Sequence, residues 1–238
     1  MAAIVAGNSD MTFNDCTAEC GSYFALTHCV NGWQEEVADI TVTGGDIHTK
    51  KECVLVKSHN MMLDLCDVNI SSDKGILVHT IVNDDPCATK VTKDVFGVNV
   101  VMTDMDVKGD LLHEDTTREM WVMLNSTQLT GAIQHANVAF DKGSKWVATA
   151  DSDVVFVTDV EPAQIDAPTG VTITAKGAQA AYSTATAAGG SVAGSTIGTA
   201  IAGPLGTVVG FLVTNKTFQK VVAAIMAAIL LFLFIIVN

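Results

Sequence analysis

Positive charge is scarce in this chain. Its 238 residues hold 13 Lys and Arg against 26 Asp and Glu, a formal net charge of −13. Nucleic-acid binding needs a cationic surface to neutralise phosphates, so no nucleic-acid partner is expected. Charge of either sign is also thin: 16% of residues, where a soluble domain carries about 25%. A disordered acidic chain is charge-rich and apolar-poor, and the 49% apolar content excludes it.

Catalytic signatures are missing too. No HExxH, GxSxG, Walker-type or Rossmann-type pattern occurs, each of which sets a nucleophile, metal or phosphate site at fixed spacing. His28, His48, His59, His79, His113 and His135 are scattered, and nothing pairs a nucleophile with a base. The chain therefore reads as a non-enzyme with no cofactor. Cys16, Cys20, His28 and Cys29 lack the second close pair of a zinc site, so no metal is expected. Asp104 to Asp115 echoes a calcium loop, but Lys108 stands where that loop needs an oxygen ligand. The stretch reads better as a strand, with Met102, Asp104 and Asp106 facing water and Thr103, Met105 and Val107 facing the core. No internal repeat is visible. The start, MAAIVAGNSDMTFND, has no basic n-region, and Ala2 stands where myristoylation needs glycine. The C-terminal segments are then the insertion signal, unless a leader has been removed.

What is present is unevenly placed. All 26 acids lie at or before Asp166 with 10 of the 13 cations, a charge of −16. Residues 177–215 and 221–238 contain no Asp, Glu, Lys, Arg or His. A bilayer core of about 30 Å takes roughly 20 apolar residues of helix. The final run, VVAAIMAAILLFLFIIVN, supplies 18. Before it, Gly190, Gly194, Gly198, Ala202, Gly206 and Gly210 recur every four residues. On a helix that spacing makes one small-residue face, the packing mode of membrane helix pairs. The reading is a transmembrane hairpin, a glycine-zipper helix at 188–213 and a second helix at 221–238 joined by a turn at 214–220. Lys216 and Lys220 in that turn set it inside, by the excess of cations on cytoplasmic loops. Residues 1–160 then stand on the exoplasmic side, with 161–187 as an Ala/Thr/Gly-rich stalk that holds a last strand at 171–174. The alternative is a single span at 221–238, with the glycine segment packed against a partner protein and the two lysines on the same side as the front domain.

Residues 1–160 read as β-rich. Short runs such as Ile40–Thr43, Cys53–Lys57, Met61–Ile70, Ile76–Val82, Val95–Val107 and Met120–Leu124 recur between turn residues. Ile133–Phe140 and Trp146–Ala150 flank Asp141-Lys142-Gly143 as a hairpin would. The fold class expected is mainly β, an antiparallel sandwich or barrel-like domain, with one short helix within 15–30. Cys16, Cys20, Cys29, Cys53, Cys66 and Cys87 make an even set in this domain, the pattern of three disulfides with 15 pairings open. Asn69 and Asn125 head glycosylation sequons; a third at Asn215 falls in the inside turn.

These observations point to a membrane-anchored, non-enzymatic structural or assembly protein, with a virion membrane or envelope as the setting. Its partners are the lipid bilayer, other membrane helices, further copies of itself and neighbouring assembly proteins. A fusion protein inserting residues 188–213 is an alternative, as is a cellular adhesion or receptor module. A pore lined by the zipper helix is disfavoured, because that helix offers no ionisable side chain to select ions.

Overall fold

The computed structural model describes residues 1–28, 36–85, 96–177 and 191–194. The chain divides into two units, Met1–Gly198 and Thr199–Asn238, and every described residue lies in the first. Strands β1 (Ala3–Val5), β2 (Ser9–Cys20), β3 (Ala25–His28), β4 (Val37–Thr49) and β5 (Val54–Lys57) open the chain. β6 (Asn60–Cys66), β7 (Asn69–Ser72), β8 (Ile76–Ile81), β9 (Val98–Thr103), β10 (Asp106–Lys108) and β11 (Asp110–His113) follow. Then come β12 (Met120–Asn125), β13 (Gln128–Thr130), β14 (Ile133–Phe140), β15 (Lys145–Val147) and β16 (Ser152–Phe156). A 3-10 turn at Pro162–Gln164 leads to β17 (Ile165–Asp166), β18 (Thr172–Gly177) and β19 (Ser191–Gly194).

Every pairing among these strands is parallel, which overturns the antiparallel expectation. The chain does not reverse beside itself. It goes round, and each strand pairs with its counterpart one turn later: Val98 with Met120, Asp106 with Gln128, Leu111 with Ile133. The result is a solenoid whose main sheet of 15 parallel strands nearly closes on itself like a barrel. Three ladders form its sides. Ladder A stacks the first half of β2 and β4 with β6, β9, β12 and the second half of β14. Ladder B takes the second half of β2 and β4, then β7, and separately β10, β13, β15 and β17. Ladder C stacks β1, β3, β5, β8, β11 and the start of β14.

The core is the inside of this coil. Along ladder A the inward file runs Met11, Ile40, Leu63, Val100, Val122, Val138. Along ladder B it runs Ala18, Ile47, Ile70, then Val107, Leu129, Trp146, Ile165. All but the first residue of each file are buried. Strands alternate in and out with period two, so each turn contributes apolar residues to these files. Trp146 is fully buried, and its Nε1 donates to the Gly131 carbonyl at 2.8 Å, which satisfies the indole inside an apolar stack.

Several local expectations change accordingly. Residues 133–140 and 146–150 do not form a hairpin, because the end of β14 lies in ladder A and β15 lies in ladder B, across a corner at Asp141–Ser144. The expected helix within 15–30 is instead the end of β2 and β3. Met102 faces inward, not outward. Asp104 takes a left-handed backbone (φ 55°) and restarts the alternation between β9 and β10. The strand expected at 171–174 is present as β18, and β17 joins the stack before it, within the segment read as a stalk. Ser191–Gly194, within the expected zipper helix, is a strand paired with β18. No helix among the described residues is long and apolar enough to cross a membrane; residues 195–238 lie outside them.

Candidate functional site

The corner from ladder A to ladder B is tight. The corner from ladder C to ladder A is not. There the chain spends Ser58–His59 between β5 and β6, and far more between β8 and β9, and a six-residue run between β11 and β12. Polar side chains from four turns meet inside this second corner.

Asn60, fully buried, is their hub. Its Oδ1 accepts from the Gly97 N–H at 3.1 Å and from Arg118 Nε at 3.4 Å, while its Nδ2 donates to the Glu36 carbonyl at 3.1 Å. Arg118 is the only arginine of the chain. Its Nη1 meets Asp115 Oδ2 at 3.3 Å, with the two side chains 1% and 2% exposed. Asp115 Oδ1 takes further donors from the Thr117 N–H at 3.1 Å and the Thr117 hydroxyl. A buried ion pair survives only when its remaining lone pairs are filled, and this one is so equipped.

His113 is locked into one tautomer. Its Nε2 lies 3.0 Å from the Arg118 carbonyl, which only accepts, so Nε2 carries the proton. Nδ1 then accepts from the Thr80 hydroxyl at 2.5 Å. Burial holds His113 below the ordinary histidine value, against the pull of the Arg118 carbonyl and of Asp115. His59, the neighbour of Asn60 in the chain, is different. It is 1% exposed, and neither ring nitrogen has a hydrogen-bond partner among the described residues. Burial first, then the positive charges of Arg118 and His28, push its pKa down to about 4. His59 is therefore a neutral imidazole at neutral pH, with one donor and one acceptor unspent. On the rim, Lys57 Nζ holds Asp85 at 3.0 Å and Asp84 at 3.2 Å, and His28 Nδ1 lies 3.7 Å from Asp85.

Chemically the corner is a set of mutually cancelled charges around one orphaned imidazole. No protein-family model matches this chain, and comparisons with curated proteins and with solved structures return no match. The residues of the site therefore rest on geometry alone.

The residues singled out from the sequence lie elsewhere. Cys16, Cys20, Cys53 and Cys66 are free thiols, Cys20 and Cys53 buried and the other two half-buried. Burial raises the Cys53 pKa to about 11, with the Thr49 hydroxyl working against it and Cys20 adding to it, so this thiol is inert as a nucleophile. Cys29 and Cys87 lie outside the described residues. Asn69 is exposed and donates to Asp46 at 2.9 Å. Asn125 is half-buried on Thr103, and its sequon threonine, Thr127, is buried. No group of three metal-ligating side chains occurs among the described residues. Gly194 ends β19. Gly190, Gly198, Ala202, Gly206, Gly210, Asn215, Lys216 and Lys220 lie outside the described residues. His59, Asn60, His113, Asp115 and Arg118 were not visible as a set. Their one sequence signal is the lone arginine inside the polar run His113–Glu119 between two apolar strands.

Proposed function

We propose that this chain is a membrane-anchored, non-enzymatic structural or assembly protein, in which the acidic solenoid stands on the exoplasmic side of a membrane, that of a virion or envelope. The observation that carries the reading is the chemical division of the chain. All the acids lie at or before Asp166, and residues 177–215 and 221–238 carry no Asp, Glu, Lys, Arg or His. A run of 18 uniformly apolar residues at 221–238 nearly matches a bilayer core of about 30 Å. The solenoid supports the structural half of the proposal. Its inward files are filled by apolar side chains, and its buried ion pair is tied by further hydrogen bonds from Thr117 to Asp115 and from Arg118 to Asn60, a construction suited to rigid presentation of a surface.

The test is protease protection of the full chain on intact membranes or particles. Digestion of residues 1–160 from outside, with a fragment containing 188–238 retained in the membrane after carbonate wash, is the expected result. Full extraction by carbonate, or cleavage of the 214–220 turn from the same side as the solenoid, would overturn the anchored hairpin.

A further inference from the structure

The first turn of the solenoid ends in an edge. β2 pairs on one side with β4, and among the described residues it has no strand on the other. Twelve residues, Ser9–Cys20, thus present alternate N–H and C=O groups away from the stack. Strands of this kind are templates for pairing with another chain. The apolar files end here as well. Met11, Phe13 and Ala18 sit on Ile40, Val42 and Ile47 and are only half-buried, where their counterparts deeper in the stack are closed over. Phe13 is propped edge-on against Phe24, with ring centroids 5.1 Å apart.

The charge of this end is one-sided. β2 carries Asp10, Asp15 and Glu19, each exposed. The chain has no lysine or arginine before Lys50, while seven acids precede it. A second copy of β2 is a poor occupant. Antiparallel pairing along the full length sets Asp10 of one strand opposite Glu19 of the other at both ends, and like charges directly opposite destabilise a pair. A basic strand meets the opposite situation at every one of these positions.

We propose that the β2 edge is a docking site for an extended segment of another protein, added as one more strand, with lysine or arginine on its outward face and small or branched apolar residues on its inward face. The main-chain bonds to Ser9–Cys20 give the register. The apolar positions close over Met11, Phe13 and Ala18, and the basic positions pair with Asp10 and Glu19. The proposal stands on the solenoid alone and is independent of the membrane reading.

Fluorescence anisotropy of labelled 12-residue peptides against the full chain tests it. The probes are a Lys/Val peptide, VKVKVKGVKVKV, whose glycine faces Asp15, where β2 switches faces, the same peptide with Glu for Lys, and the Lys/Val peptide N-methylated at alternate residues. Binding is expected for the first alone. D10K/E19K should weaken it by about tenfold or more and D10N/E19Q by less, with the gap narrowing as salt rises. Circular dichroism of the two variants, both at exposed positions, confirms the fold. Failure of the Lys/Val peptide to bind overturns the proposal. Equal binding of the N-methylated peptide does so too, because charge attraction without strand pairing would then explain the data. A dimer of the chain that grows stronger in D10N/E19Q would assign the edge to a second copy instead.

Discussion

The two corners that flank ladder A solve the same problem in different ways. From A to B the chain turns on single residues in the left-handed backbone region, stacked turn upon turn: Asp15 (φ 49°), Gly44 (φ 67°), Asp67 (φ 50°), Asp104 (φ 55°) and Ser126 (φ 48°). Backbone bonds tie the file together, from Asp67 N–H to the Thr103 carbonyl and from Asp104 N–H to that of Asn125. Aspartate tolerates this conformation better than most residues. A Cβ at Gly44 would run into the Asp15 carboxylate, and one at Gly45 into the Cys16 backbone, so glycine there serves close approach as well as φ. From C to A nothing so local is used. Chains of different length cross that corner, and side chains from Asn60, Thr80, His113, Asp115 and Arg118 knit them. Backbone geometry closes one corner cheaply over the first five turns, and only the last two turns lengthen it, to Asp141–Ser144 and to residues 157–164. A buried polar network closes the other, tolerates long insertions, and makes it dependent on each member.

That contrast predicts where the molecule breaks. The largest effect should come from Arg118→Met. It strands Asp115 as a buried charge and removes a donor from Asn60, a loss of about 3–5 kcal/mol for breaking one half of a buried pair. Asp115→Asn in the same background should recover part of it, measured by denaturant unfolding of both variants. Full additivity of the two changes would contradict the coupling.

Acid should act on the same corner. The folded value of His59, about 4, lies below the ordinary value near 6.5. The unfolded chain therefore takes up the proton first. Stability from this group is intact above pH 6.5 and falls as pH drops toward 4, by up to about 3 kcal/mol. His113, depressed by the same burial, adds in the same direction. His59→Leu should flatten the profile between those limits while leaving stability at pH 7.5 nearly unchanged. An unaltered pH profile in that variant would remove His59 from the account.

At the A-to-B corner the effects should be smaller and conformational. Asp104→Val should cost about 1–2 kcal/mol because a β-branched residue is forced into the left-handed region. Asp104→Gly should be neutral or nearly so. Equal losses in both would point to the aspartate side chain rather than the backbone. The smallest perturbation is chemical labelling. Under native conditions Cys16 and Cys66 should be alkylated before Cys20 and Cys53, which are buried; mass spectrometry of timed aliquots reads the order. Failure of Cys20 or Cys53 to react even after denaturation without reductant would show it bridged.

Much of the strand map was legible locally. Ile76–Val82, Met120–Leu124 and Ile133–Phe140 are strands within a residue or so of where alternation put them, because facing in or out is decided by each residue and its neighbours. β2 was missed: Asp10, Asn14, Asp15 and Glu19 face water at the terminal turn, and its more buried positions hold a mixed set, Met11, Phe13, Cys16, Ala18 and Cys20. The candidate site was hardly legible at all. Asn60 and Arg118 lie 58 positions apart, and only the winding of the coil makes them neighbours.

Short segments alone establish that this protein is strand-rich, acidic through Asp166 and without Asp, Glu, Lys, Arg or His over its two apolar stretches, because composition and alternation are local properties. Parallel pairing, the coil and its buried polar corner arise only when segments distant in the chain stack on one another. The solenoid repeat leaves no repeated sequence. A file such as Met11, Ile40, Leu63, Val100, Val122 and Val138 asks only for an apolar side chain at each level. The spacing between levels also changes with every insertion at the C-to-A corner. Period and identity are both lost to the eye, while the stacking that depends on them is kept.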